Sequence, residues 1–179
     1  DSESRGLGDV YKRQGKEVEE GQIGTIELKG VNIFRGYWGM EEKTKESFKD
    51  DGFFITGDLA KKDENGYFTI VGRDKDMIIS GGLNVYPKEI EDVINELPNI
   101  TESAVFGVQH DDFGEAVVAA VVTTDDKNDG SQILDYTKDK IAKYKQPKKI
   151  IFMSNLPRNS MGKVQKNKLR ENNKSLFKS

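Results

Sequence analysis

The stretch Met77–Val108, MIISGGLNVYPKEIEDVINELPNITESAVFGV, decides the fold. Met77 to Ile79 reads as a short apolar strand, and Ser80-Gly81-Gly82 as a flexible loop leaving it. Pro87 stands where a first helical position is expected, because the N–H it lacks would have no helical partner there. Ile90, Val93, Ile94 and Leu97 then recur at i, i+3, i+4 and i+7, one helical stripe that stops at Pro98. Ser103 to Val108 returns to strand. Strand, glycine loop, helix and strand in succession predict helices packed on a sheet.

Toward the C-terminus the same grammar continues. Glu115 to Thr124 is a second strand, reached through a turn around His110 to Gly114. Ser131 to Tyr144 reads as a helix with Ile133, Leu134 and Ile141 inward, Ile150 to Met153 as a strand, and Val164 to Asn172 as a final helix. Toward the N-terminus the pattern is β-rich. Gly24 to Lys29 alternates apolar Ile26 and Leu28 with polar neighbours, and Met40 to Phe48 reads as a short exposed helix. Asp51-Gly52 is a turn before Phe53 to Thr56. Asn65-Gly66 marks a hairpin between Asp58–Lys62 and Tyr67–Val71, the pair tolerating the positive φ that tight hairpins require. Asp1 to Gln14 shows neither period and no signal-peptide core, and is read as a non-native or disordered leader outside the fold. The expected organisation is a leader at 1–14, a β-rich segment at 15–72 and a compact α+β domain at 73–179.

The 179 residues suffice for one domain or two small ones with a real core. The longest apolar run, Ala116 to Val122, is far short of the roughly 20 residues that cross a bilayer. There is no cysteine, which excludes disulfides, thiolate metal sites and cysteine nucleophiles. The single histidine, His110, excludes a multi-histidine metal site within the chain. It lies in VQHDDFGE between two expected strands, a loop or strand-end setting, and no serine sits in a nucleophile-elbow context. The net charge of −3 hides a segregation: Lys138 to Ser179 holds thirteen Lys and Arg against two acidic residues, a local +11, and the remainder carries −14. Such a tract is solvated surface or the seat of a polyanion such as nucleotide phosphates or a coenzyme. It lacks the interleaved aromatics and arginine clusters that suit nucleic acid.

Three constellations carry chemistry. In Asp51–Leu59, DGFFITGDL, Asp58 follows a glycine, and Gly72-Arg73 comes after a hairpin; a carboxylate can accept both hydroxyls of a ribose while a guanidinium donates to the same sugar or its phosphate. Alone, the two would be a surface ion pair. In Gly72–Glu91, Gly81 and Gly82 would let a substrate chain pass against bare backbone, although a double glycine is most often only a turn. In Leu156–Arg170, LPRNSMGKVQKNKLR, Lys163 follows a glycine between a loop and a helix and can be offered to a phosphate, or is one solvated lysine among many. This is not a phosphate-binding P-loop, since Pro157 and Val164 stand where glycine and Ser or Thr are needed.

In this order and spacing the three resemble the adenylate-forming superfamily of acyl-CoA synthetases, adenylation domains and luciferases. The likeness runs from about Gly15 to the end. The strings NIFRGYWGMEEKT, DGFFITGDL, GLNVYPKEIE and LPRNSMGKVQKNKLR are most similar to malonyl-CoA synthetases. The resemblance implies the last third of an acid:CoA ligase, a β-rich tail of a large adenylating domain followed by a mobile α+β C-terminal domain. It implies two steps: ATP and a carboxylate give an acyl adenylate and pyrophosphate, then coenzyme A displaces AMP. On it Lys163 is catalytic, Asp58 and Arg73 bind the AMP ribose, Lys75 is the hinge, Gly81, Gly82 and Leu83 line the coenzyme tunnel, and Lys148 meets the coenzyme's phosphates. It further implies ATP, coenzyme A and a carboxylic acid as small-molecule partners, the missing adenylating region as the protein partner, and a cytoplasmic setting. Magnesium would be held by residues outside this chain, which alone would be inactive. Other fatty-acyl or aryl ligases carry similar text, and a free-standing α+β module binding nucleotides or pantetheine without catalysis is the alternative from another class.

Overall fold

Residues 8–11, 18–125 and 129–178 are described by the computed structural model. Glycine turns and alternating apolar residues build a first unit, Asp1–Lys75, around an antiparallel sheet of order β1-β2-β3-β4. Its strands are β1 (Gly8–Tyr11), β2 (Ile23–Leu28), β3 (Phe54–Lys62) and β4 (Phe68–Arg73). The exposed helix α1 (Glu41–Ser47) buries no residue, and carries Glu41 and Glu42 in its first turn where the helix dipole favours them. Ile26 packs beside Val18 and Ala60 as its alternation predicts. Glu27, expected to face water, is instead 4% exposed and paired with Lys49 at 2.5 Å.

Two expectations fail here. The sequence pattern puts residues 1–14 outside the fold, yet Gly8–Tyr11 forms β1, antiparallel to β2 with Gly8 opposite Leu28. Backbone pairing needs no side-chain period, which is why the pattern did not reveal it; the rest of 1–14 lies outside the described residues. The Asn65-Gly66 hairpin is present, but only Gly66 has positive φ, at 81°. The loop closes through Asp63, whose Oδ1 accepts the N–H groups of Asn65 and Tyr67 at 2.9 and 2.8 Å while its carbonyl accepts Gly66 N–H at 3.1 Å. A longer turn with one left-handed glycine replaces the two-residue form.

The second unit, Asp76–Ser179, is mixed α+β. Its strands are β5 (Ile78–Ser80), β6 (Leu83–Val85), β7 (Ile100–His110), β8 (Gly114–Thr123) and β9 (Lys149–Phe152), with helices α2 (Pro87–Ile94), α3 (Ser131–Lys138) and α4 (Lys166–Asn172). The sheet runs β6-β5-β8-β7, and β9 joins β8 in parallel. Both faces are covered, which explains the unbroken apolar run in β8. Val105, Val117, Ala119 and Val121 face Ile90, Ile94 and Ile133 from α2 and α3, while Ala104, Phe106, Val118 and Ala120 face Leu156 and Leu169.

Both long helices stop short of their apolar stripes. α2 ends at Ile94, and Leu97 reaches the core from the turn that follows, its N–H bonded to Ile94 O at 3.2 Å. α3 ends at Lys138, where Lys140 and Ile141 both donate to Thr137 O, and Tyr144 lies in a separate 3-10 turn, Lys143–Lys145. The division between units falls between Lys75 and Asp76, three residues beyond the expected end of the β-rich segment, because Arg73 is still paired within β4.

Candidate functional site

Asp58 and Arg73 stand directly opposite each other across β3 and β4, with Arg73 Nε 2.7 Å from Asp58 Oδ1. Irregularities on both sides aim them. Between Glu27–Ile55 and Thr25–Leu59 the β2–β3 register gives β3 extra residues, so Thr56-Gly57-Asp58 bulges from the ladder. Thr56 Oγ1 stitches the bulge, donating to Ile26 O at 2.8 Å and accepting Asp58 N–H at 3.0 Å. Between Leu59 and Ala60 the β3–β4 register shifts again. Bulges of this kind re-aim side chains next to functional sites. The Asp58 side chain keeps 27% of its surface exposed, leaving a carboxylate able to accept from a diol.

Gly81 and Gly82 form a two-residue hairpin joining β5 and β6, with Ser80 opposite Leu83. Their φ values are 58° and 78°, the left-handed pair that this tight turn demands. The expected flexible loop is therefore a defined turn, and β6 went unread because three residues show no period. A Cβ on either glycine would meet nothing within 4 Å, so a substitution costs backbone conformation alone. Gly82→Ala is expected to lower the unfolding free energy of the chain by about 1 to 2 kcal/mol, measured by urea denaturation. Leu83 is half exposed at the same tip.

The turn is tied to two other residues at its end of the sheet. Gly81 N–H donates to Phe113 O at 2.8 Å, and Lys148 Nζ lies 5.1 Å from the centre of the Phe113 ring. Gly81, Gly82, Leu83 and Lys148 thus share one neighbourhood, organised by Phe113. The sequence gives no signal for Phe113, because its role is set by contacts 32 and 35 residues away in the chain.

Lys163 sits at the opposite end. Arg158 and Val164 form an isolated antiparallel bridge, closing a small loop with Gly162 at φ 78°. Asn159 holds the turn: its Oδ1 accepts Met161 and Lys163 N–H at 3.0 and 2.9 Å, and its own N–H donates to Lys163 O at 2.9 Å. Arg158 braces it, donating from Nη1 to Gly162 O at 2.7 Å and pairing through Nη2 with Glu102 of β7. The main chain of Lys163 is fixed while its side chain remains exposed. Glu102 pairs with Val122, nine residues along β8 from Phe113, so the two ends lie roughly 30 Å apart at ~3.4 Å per strand residue.

The structure also sorts the basic tract. Lys138, Lys140, Lys145, Lys166 and Lys174 pair with Asp135, Glu96, Glu89, Glu91 and Glu171, and Arg170 with Asp76. The Lys140 contact and the Tyr136 hydroxyl hold the Glu96 carboxyl below its ordinary range, and Glu96 raises Lys140 in turn. Among the described residues neither Lys148 nor Lys163 has a carboxylate partner. Lys75 is exposed in a 3-10 turn, Asp74–Asp76, at the division between the units. His110 packs against Phe113 and Phe177, with ring centres at 4.8 and 5.1 Å, and accepts Asp112 N–H on Nδ1, a turn-forming role. Among the described residues no three Asp, Glu or His side chains converge to hold a metal ion, so none is assigned to magnesium, and no helix is long and apolar enough to cross a membrane.

Residues 89–163 match the family model described as the AMP-binding enzyme C-terminal domain. The chain is 44% identical over 154 residues to the long-chain-fatty-acid–CoA ligase FadD13 of Mycobacterium tuberculosis, covering 86% of this chain and 30% of that protein. It is 41% identical over 158 residues to the indoleacetate–CoA ligase of Aromatoleum aromaticum, covering 88% and 31%. Among solved structures it is similar to ATP-bound MatB from Rhodopseudomonas palustris, with 54% identity and a TM-score of 0.90, covering 98% of this chain and 35% of that one. The chain therefore spans about a third of the length of the relatives it matches.

Proposed function

We propose that the chain is the C-terminal part of an acid:CoA ligase, an enzyme that joins a carboxylic acid to coenzyme A at the expense of ATP, and that the acid is malonate or methylmalonate. The observation that carries the ligase reading is the placement of two dissimilar presenting turns at opposite ends of one sheet, the Lys163 turn within the residues 89–163 that match an AMP-binding enzyme C-terminal domain and the Gly81-Gly82 turn just before them. In the first step a carboxylate oxygen bonds to the α-phosphorus of ATP and pyrophosphate leaves. The Lys163 ammonium, on its braced turn and without a carboxylate partner, offsets the negative charge that develops there. Asp58 accepts the ribose hydroxyls, and Arg73 orients that carboxylate through the pair at 2.7 Å and donates to the nucleotide.

In the second step the coenzyme thiol attacks the acyl carbon and AMP departs. The Gly81-Gly82 turn, with no side chain to block it, lets the pantetheine arm pass against Leu83, and Lys148 meets the coenzyme's phosphates. Two turns roughly 30 Å apart cannot serve one reacting carbon together. The second unit accordingly turns about Lys75 between the steps, presenting one end and then the other. ATP and coenzyme A are substrates of this reaction, and magnesium, which would offset phosphate charge, would be held by residues outside this chain.

The malonate assignment is supported by 54% identity to MatB, a malonyl-CoA synthetase, against 44% and 41% for the fatty-acyl and indoleacetate ligases. The full-length ligase, assayed with malonate, methylmalonate, octanoate and indoleacetate, is expected to favour the first two by at least about a hundredfold in kcat/KM. A pocket built to pair a second carboxylate rejects acids lacking one. A preference for an apolar acid would reassign the substrate, and absence of thioester with every acid would favour a binding module.

A further inference from the structure

We propose that Glu115 is a positioning residue for the coenzyme step, its carboxylate standing in for a missing strand-to-strand hydrogen bond that fixes the Gly81-Gly82 turn. The functional part of this inference rests on the reading of that turn given above. β5 meets β8 at a single register pair, Ser80 opposite Gly114. Beyond that pair, a side chain takes over from the backbone: Glu115 Oε2 accepts the Ile79 N–H at 2.8 Å. A bond from an amide to a carboxylate is stronger than the neutral ladder bond it replaces.

The carboxylate needs a seat, and Gly107 supplies it. A Cβ at this position of β7 would lie 2.5 Å from Glu115 Oε1 and 2.9 Å from its Cδ. Glycine inside a strand is unfavourable, and Gly107 has no positive φ to justify it. Its missing side chain is used as space. Gly107, Glu115 and the Ile79 amide therefore form one device reaching across three strands. Burial cannot do the same work at the tip, where Ile79 and Leu83 are half exposed. Without the carboxylate, the backbone ties from the turn to β8 and its approach would be the Ser80–Gly114 pair and the Gly81 N–H to Phe113 O bond, with Ile78 and Val85 buried farther from the tip.

The test combines amide exchange with kinetics. In the 179-residue chain, Glu115→Ala is expected to speed exchange of the Ile79 amide by about 10- to 100-fold while the centre of β8 stays protected, and Glu115→Gln, which keeps an acceptor oxygen, to preserve it. In the full-length ligase, Glu115→Ala should slow thioester formation from supplied acyl adenylate by about 10- to 100-fold, with pyrophosphate exchange within about twofold of wild type. Glu115→Gln should recover most of the loss. Gly107→Ala should mimic Glu115→Ala; because its Cβ also comes within 3.0 Å of Ile78 Cγ2, the Glu115 pair is decisive if that variant fails to fold. Unchanged Ile79 exchange in Glu115→Ala, equal loss in both half-reactions, or failure of the glutamine to rescue would each overturn the proposal. Loosened Ile79 together with a wild-type ligase that forms neither adenylate nor thioester would overturn the ligase reading, and the coenzyme role with it.

Discussion

On the proposed ligase reading, replacing Lys163 by alanine in the full-length protein is expected to slow acyl-adenylate formation by about 10²- to 10³-fold, the loss seen when one donor to a developing oxyanion is deleted. The variant suits the purpose because the turn does not depend on the lysine side chain. Asn159 bonds only the main chain of Lys163, and Arg158 bonds Gly162 O and Glu102. Alanine therefore removes a cation and leaves its support standing. Thioester formation from supplied acyl adenylate should stay near normal, since the proposal assigns that step to the other end of the sheet. Pyrophosphate exchange that survives the substitution would show that Lys163 does not act on the phosphate.

Lys75→Pro is expected to separate the half-reactions in the opposite sense, lowering thioester formation by about 10²-fold or more while adenylation stays within about an order of magnitude. Lys75 lies in the 3-10 turn at the division between the units, and φ in such a turn is close to the −65° that proline imposes. One conformer is thus tolerated. The ring also restricts Asp74, so the few dihedrals between Arg73 and Met77 lose the freedom a rotation must use. Single-turnover thioester formation and pyrophosphate exchange, measured separately, check this. Equal losses would indicate misfolding, and no loss in either would place the hinge elsewhere.

What could be read from the sequence follows from where the information resides. The stripe Ile90, Val93, Ile94, Leu97 and the apolar strands report burial directly, so the helix and the hairpin β7–β8 were legible, whereas the covering of both sheet faces was not read. Helix ends were not, because Leu97 and Ile141 stay inward after the backbone has left the helix. β1 and β6 were missed since four and three residues cannot display a period. Lys163, Gly81 and Asp58 stood out through local glycine contexts. The braces Arg158, Phe113 and Glu115 did not, because each has a partner tens of positions away, Glu102 in the case of Arg158. Glu115 and Ile79, for instance, are separated by 36 residues.

The Gly81-Gly82 turn has a consequence for how such domains are inherited. Both positions require left-handed backbone whether or not any ligand passes over them, so folding alone is enough to preserve the pair. A duplicated copy released from thioester chemistry would keep its two glycines under the same purifying pressure as an active one. Divergence would surface first in exposed side chains that no backbone conformation demands, with Lys148 drifting before the two glycines.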